Sequence, residues 1–370
     1  MNPIYPLPQN HPQRFRLHNE VHARAPISVT LPVLSTYLAF TLTADEKKRE
    51  LASLTQLCDK YNVNPPQTED SHFTAQLDSL QLRWEQHAEF SSYSFYCSNP
   101  STTPFKQTAL ERVPSDWLQQ LPGQLITAIH ASILDQKHLG ENPSEAISNL
   151  FFDHPIVGST VSGGAASAFT DFKIHADGFS RFLILNRELK PGQAGRLLQR
   201  LFEIEVYRVM AMMAFPISKQ LTPLLNQADQ QLLNITADMS DNRKNDGLLL
   251  DELTSLAASI ENNISAHQYR FSAANAYYTL VEQRINDLRE ERIQGLQTIG
   301  EFMKRRLEPA IKTCTSTSNR FSSLSRRINN ASQLLRTRVD LAIETQNQAL
   351  LKSMDARAKM QLRLQETVEF

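Results

Sequence analysis

Apolar positions along this chain change their spacing once. Up to about residue 190 they fall in short alternating or unbroken runs, the pattern of strands, and beyond Gly192 they recur every three or four residues, the pattern of helices. The first thirty residues are rich in proline and are expected to be largely extended. Leu31 to Thr43 mixes β-branched and aromatic residues and predicts a strand; Ala44 to Tyr61 predicts an amphipathic helix with Leu51, Leu54 and Leu57 on one face. Phe73 to Leu82 and Arg83 to Tyr96 predict two adjacent strands, and Leu125 to Leu134 another. Pro143 to Phe152 predicts a short helix. Val157 to Val161, Ala168 to His175 and Phe179 to Asn186 complete the strands, with a hairpin signal at Asp177-Gly178.

The second half is helical throughout. Ala194 to Phe215 carries Leu197, Leu201, Ile204 and Ala211 on one face and is stopped or kinked at Pro216. A helix over Thr222 to Met239 and a turn at Asn242 to Gly247 follow. From Leu249 to Leu288 a three-four alternation through Leu253, Leu256, Ile260, Ile264, His267, Phe271, Ala274, Tyr278, Val281 and Ile285 makes a coiled-coil-like seam. A helix over Gln294 to Lys312 is bent by Pro309. Arg320 to Phe370 contains no Gly or Pro and reads as one helix, roughly 75 Å long at about 1.5 Å per residue. It reaches Phe370 without a stop signal, so the chain is expected to be the soluble part of something longer. The fold class is α+β: a mixed sheet domain over 1–192, then an antiparallel helical bundle or stalk over 193–370, its last helix at about 320–370.

Composition narrows the function only slightly. With 370 residues the chain can bury a large core, and 41% hydrophobic and 21% charged residues are ordinary values. The formal net charge of -1 argues against nucleic acid as a partner. The last helix is locally basic, through Arg336, Arg338, Arg357, Lys359 and Arg363, but lacks interleaved aromatics. Those charges suit either a solvated helix matched by Glu282, Asp287, Glu290 and Glu291, or a juxtamembrane stalk. Cys58, Cys97 and Cys314 are too few and too scattered for a disulfide framework or a thiolate zinc site. No run of about 18 apolar residues and no signal-peptide core is present.

Three polar stripes carry candidate chemistry. In an extended segment His18, Glu20, His22 and Arg24 project to one side; two imidazoles and a carboxylate can hold a divalent metal, and the alternative is a polar edge capping backbone groups. Arg83, Glu85, His87 and Glu89 alternate with Trp84 and Phe90, as in a half-buried strand with its charges solvated or paired across strands. Asp171, Lys173 and His175, with Asp177 in the turn and Arg181 beyond it, form the third. If the stripes shared one sheet face they would make an acid/His/Arg surface for a cation or a phosphate. Gly158 to Ala165 has P-loop-like spacing, but Gly164 stands where the lysine is required, and a glycine turn between strands accounts for it. No nucleophile elbow or Cys/His pairing assigns catalytic residues, and Met210, Met212 and Met213 read as helix core.

Four stretches carry a resemblance: His18 to Arg24, Arg83-Trp84-Glu85-Gln86-His87-Ala88-Glu89-Phe90, Asp171 to Arg181 with Gly195 to Arg208, and Leu334-Leu335-Arg336-Thr337-Arg338-Val339-Asp340 through Gln361-Leu362-Arg363-Leu364-Gln365. Together they resemble an uncharacterised bacterial family of predicted membrane-anchored proteins, with Ala25 departing from the proline its motif has there. The resemblance implies hydrophobic membrane segments C-terminal to this chain and supplies no catalytic residue. The layout is similar, by analogy only, to CorA-type magnesium channels. Two functions are therefore expected. One is the cytoplasmic domain, at the bacterial inner membrane, of an oligomeric cation channel or transporter, self-associating and responsive to a divalent cation such as magnesium. The other is a membrane-tethered metal- or phosphate-dependent enzyme or ligand sensor.

Overall fold

The computed structural model describes residues 8–15, 17–18, 27–98, 104–139, 142–241 and 245–368. The chain forms two compact units, Met1–Met210 with Tyr277–Glu308, and Ala211–Ala276 with Pro309–Phe370. These units are not divided at 192/193. The helix after Gly192 packs on the sheet, and the stretch from Tyr277 onward joins the same unit.

The first unit is built on a nine-stranded sheet in the order β2-β3-β4-β1-β5-β8-β7-β6-β9. Its strands are β1 (Val33–Thr41), β2 (His72–Leu77), β3 (Leu80–Gln86), β4 (Phe90–Ser98), β5 (Gln124–Asp135), β6 (Val157–Val161), β7 (Ala166–Thr170), β8 (Ser180–Asn186) and β9 (Glu291–Arg292). All pairings are antiparallel except β5 with β8. Central β1 is buried at eight consecutive positions, as a strand covered on both faces must be. On one face α1 (Ala44–Lys60) packs Leu54 and Leu57 against Leu38, Leu82, Trp84 and Phe95. Short α2 (Ser115–Gln119) adds Trp117, whose indole N–H donates to the Ser53 carbonyl at 2.8 Å. The helix α1 starts at a capping box, Thr43 accepting from the Glu46 amide while the Glu46 carboxylate takes the Thr43 N–H. On the opposite face α4 (Pro191–Met212) stacks Phe202 on Tyr37 at 5.0 Å and sets Tyr207 against Phe90. Beneath β5, β8 and β7, α3 (Pro143–Leu150) closes a smaller core of Leu134, Ile147, Phe151, Phe169, Leu183 and Leu185.

Several strands break where alternation gave no warning. The run expected over Phe73–Tyr96 is three strands, because Asp78 adopts φ +51° in a tight turn and the His87 N–H bonds the Phe90 carbonyl across a second one. The strand expected over Ala168–His175 ends at Thr170. There the Thr170 hydroxyl takes the Phe172 N–H, an Asp171 carboxylate oxygen takes the Lys173 N–H, and Phe172 turns left-handed at φ +54°. The glycine-rich stretch after β6 is a turn in which Ser162, Gly163 and Gly164 all have positive φ. Strand β9 then covers the edge strand β6. Glu290 holds that cover: one oxygen accepts the Ser159 hydroxyl at 2.8 Å and the other the Gly300 N–H at 2.9 Å, in the first turn of α7 (Ile299–Arg306).

The second unit is three helices: α5 (Ala214–Asp241) and the unit's parts of α6 (Asp246–Leu288) and of the 61-residue α8 (Glu308–Val368). Their seams interlock Leu221, Leu225 and Leu232 with Leu249, Leu253 and Ile260 and with Phe321, Leu324 and Ile328. Both prolines expected to stop or bend a helix mark a break: α4 ends at Met212 and α5 restarts at Ala214 with Pro216 in its first turn, and α7 ends at Arg306 before α8 starts at Glu308 with Pro309 in its first turn, where the missing N–H costs nothing. The helix expected over Gln294–Lys312 is therefore broken at Leu307, and the last helix begins at Glu308 instead of Arg320. Its basic residues are matched by other acids than expected: Arg320 and Arg327 bond Asp229, at 3.0 and 2.7 Å, and Arg338 bonds Asp246. From Leu341 to Gln361 every residue of α8 is exposed.

Candidate metal centre

The second and third stripes do not converge. β3 and β7 stand five places apart in the sheet, about 24 Å at the usual strand spacing. Of the first stripe, His18 is exposed in a helical turn, and Glu20, His22 and Arg24 lie outside the described residues. In the second, Arg83 and Glu85 are buried, not solvated. They bond each other at 2.9 Å beneath α4, where Arg83 also reaches Gln199 at 3.3 Å. Tyr37, Ser92, Ser94, Tyr96 and Glu203 complete the walls around a cavity of about 10 Å³, room for one water. His87 sits in the turn, stacked on Phe90 at 4.3 Å, and Glu89 beside it is half-buried.

The third stripe is the one that becomes a site, joined by a residue the sequence reading passed over, His154. Each of its three members is delivered by local backbone chemistry. Helix α3 unwinds through Phe152 and Asp153, both left-handed at φ +53° and +56°. That turn is pinned by the Ser148 hydroxyl donating to Asp153 at 3.0 Å and by the His154 N–H on the Phe151 carbonyl at 3.1 Å. His154 is thereby aimed back at the end of β7, where Asp171 waits. His175 is fixed by its own N–H on the Phe179 carbonyl and by the Gly178 N–H on its carbonyl, both 2.9 Å. Three bulky or acidic residues in the left-handed region, Phe152, Asp153 and Phe172, thus lie within two residues of the cluster. Backbone strain of that kind, about 1–3 kcal/mol each, gathers at functional positions.

One carboxylate serves both rings. Asp171 Oδ2 lies 2.8 Å from His154 Nδ1 and 3.1 Å from His175 Nε2. The Asp171 side chain is fully buried, that of His175 is 2% exposed, and that of His154 is 33% exposed and faces solvent. One ligand atom from each of the three lies within 4.8 Å of the others. Donors bound tetrahedrally at about 2.0–2.2 Å to one ion stand about 3.3–3.6 Å apart, so a cation would enter by side-chain readjustment, the carboxylate easing away from the two rings it now bonds. Around the cluster is an aromatic wall: the Phe152 ring is 5.6 Å from the His175 ring, and the Arg181 guanidinium sits 5.4 Å from Phe152 and 5.2 Å from Phe105. Arg181 bonds Asp177 at 2.9 Å and the Leu150 carbonyl at 3.3 Å. Burial pushes the carboxyl of Asp177 up, but the hydrogen bonds from Arg181 and the Phe179 N–H, with the charge of Arg181, together hold it below its ordinary value.

Chemically the cluster offers either a divalent-cation site or a carboxylate sharing protons with two imidazoles. Two imidazoles with one carboxylate suit Zn, Fe, Co, Ni or Mn; magnesium prefers an all-oxygen shell with several waters. His154 carried no periodic signal. The only hint was an Asp-His-Pro turn just after a short helix. Arg357 and Lys359 lie exposed on α8, as does Arg336, while Arg338 is tied to Asp246 and the Met239 carbonyl; Arg363 belongs to the same helix.

An α+β protein with a mostly antiparallel sheet, long helices and a buried His-Asp-His cluster is the class these features define. The chain belongs to the family described as protein of unknown function (DUF3422), whose model matches residues 9–370. No curated protein and no solved structure matches it. Among the described residues no helix is long and apolar enough to cross a membrane.

Proposed function

We propose that this family member is a metal-dependent protein, an enzyme or a ligand sensor, whose sheet unit binds one divalent transition-metal ion through His154, Asp171 and His175. The observation that carries the reading is the mutual approach of three donor atoms to within 4.8 Å on a buried carboxylate. The three donors leave at least one coordination position for water or a ligand, the arrangement of a working site more than of a structural one. The test is elemental analysis and equilibrium dialysis of the purified chain with Zn²⁺, Co²⁺ and Mg²⁺. The expected result is one equivalent of zinc or cobalt per chain, no stoichiometric magnesium, and loss of the equivalent in His175→Ala and Asp171→Asn. Absence of stoichiometric metal, or its retention in both variants, overturns the reading.

A second reading, that the helical unit joins copies of this chain, draws on one specific observation. Leu341, Ile343, Leu350, Leu351, Met354 and Met360 are all more than half exposed on a helical stretch, 341–361, whose every residue is exposed. Helical stability in proteins comes mostly from packing an apolar face, and two such stretches side by side, each about 30 Å long, approach the contact area of a specific dimer. The wider expectation, a cytoplasmic-side part of an oligomeric, membrane-anchored cation-handling protein, adds to this only the resemblance in layout. Sedimentation equilibrium tests the self-association: a dimer or larger is expected, reduced to monomer by Leu350→Glu with Met354→Glu. A monomer at every concentration removes it.

A further inference from the structure

The ligand class of the metal centre follows from its charge balance, and this inference rests on the metal reading above. A divalent ion held by two neutral imidazoles and one carboxylate carries one residual positive charge. Asp171 is fully buried and His175 nearly so, so this charge stands in a poorly solvated place and calls for an anion. The neighbouring acids are committed: Asp177 bonds Arg181, and Asp153 bonds the Ser148 hydroxyl. Arg181 is the group that selects the anion. Its guanidinium and the His175 ring both approach one aromatic side chain, Phe152. Among the described residues the Arg181 Nε is buried with no hydrogen-bond partner. An orphaned buried N–H on an arginine is a donor set for an oxygen anion, since the planar fork matches carboxylate and phosphate. Phe152 is 63% exposed and sits on left-handed backbone, so it is the side chain that must swing for an anion to span the gap.

We propose that the loaded centre binds a small oxyanion, phosphate or carboxylate, with one oxygen on the metal and another on Arg181. The probe is the cobalt(II)-loaded protein, whose visible d–d bands report the coordination shell, titrated with inorganic phosphate and separately with acetate. A saturable band shift with at least one of the two is expected. In Arg181→Gln the midpoint should rise about tenfold or more while cobalt still binds one to one. Arg181→Lys, which keeps the charge and much of the packing, should fall between, and thermal melts of both variants confirm that they fold. Bands that neither anion moves, or that move equally in wild type and both variants, overturn the oxyanion assignment with the metal centre intact. A protein that takes up no cobalt overturns the metal reading itself, and the two failures are told apart by stoichiometry.

Discussion

The imidazole of His130 lies flat on the ring of Phe179, centroids 3.8 Å apart and planes within 16° of each other. His130 is a buried β5 residue in register with Thr36 of β1 and Arg181 of β8, and its Nδ1 is 2.9 Å from the Thr36 hydroxyl. Burial pushes its pKa down from 6.5 to about 4; Asp177 opposes this shift and Arg181 adds to it. The neutral ring is thus the folded form. Below the ordinary histidine pKa the unfolded chain takes up a proton that the folded chain refuses, so stability is complete above about pH 6.5 and falls as the pH drops toward 4. The span corresponds to on the order of 3 kcal/mol. Urea melts of wild type and His130→Gln at pH 7.5 and 5 should show a wild-type loss that the variant largely lacks. Equal losses in both would exclude His130 as the cause.

Metal binding should also stabilise the sheet unit by mass action. At a hundredfold excess over Kd the gain is about 2.7 kcal/mol, seen as a rise in Tm with added zinc. Asp171→Asn removes the carboxylate to which both histidines turn. Its melting temperature should be unmoved by zinc and lower than wild type without it, because the amide keeps one acceptor oxygen where two imidazoles and the Lys173 N–H share a carboxylate, and its NH2 leaves a buried partner unmatched. A zinc-induced rise of equal size in wild type and variant would place the ion elsewhere.

The thiols should be silent. Cys58, Cys97 and Cys314 are unpaired and buried. Burial raises the pKa of each, to about 11 for Cys58 and Cys314. With so little thiolate, a nucleophilic role has no basis. Ellman's reagent should find no rapidly reacting thiol in the folded chain and three once it is unfolded. A single fast native thiol would contradict the packing around it.

The parts of the fold that were legible are those in which one period governs a long run. Leu249, Leu253, Leu256 and Ile260 face the core because a helix of that length has no other way to bury them. The strands between Leu31 and Leu134 carried alternating or β-branched and aromatic runs for a comparable reason. What the pattern hid were positions decided by one hydrogen bond or one dihedral. Asp78 and Phe172 turn left-handed although neither is glycine, and each cuts a strand that alternation would have continued. Proline was informative in the helices: Pro216 and Pro309 each follow a helix break by a few residues, whereas Pro223 lies inside α5 without ending it. Asp171 and His175 were legible as chemistry but not as neighbours of His154, seventeen residues or more away across a turn whose geometry no period encodes. Arg83 and Glu85 read as charges solvated or paired across strands, because alternation reports which residues share a side of a strand, not whether a helix covers that side; they are buried and paired with each other along one strand.

Gly195 gives a sharper test of that covering helix. A Cβ built on it would stand 1.7 Å from the Ile27 carbonyl oxygen and 2.9 Å from the carbonyl carbon, so the extended backbone ahead of β1 lies directly on α4 at this point. The nearby Val29 N–H bonds the Pro191 carbonyl at 3.3 Å, which fixes the segment where it is. Helix propensity alone would reward Gly195→Ala by about 1 kcal/mol. The collision is with backbone on both sides and has no flexible side chain to absorb it, so overpacking should win by about 1–3 kcal/mol or more. Gly192→Ala is the matched control in the same helix: its Cβ would meet only the end of the Arg196 side chain, at 3.6 Å, and should leave stability unchanged or raise it slightly. Denaturant midpoints of the two variants should therefore move in opposite directions or by clearly different amounts. If Gly195→Ala melted like Gly192→Ala, the segment around Ile27 would not be seated on α4, and the close approach of backbone to helix would be wrong.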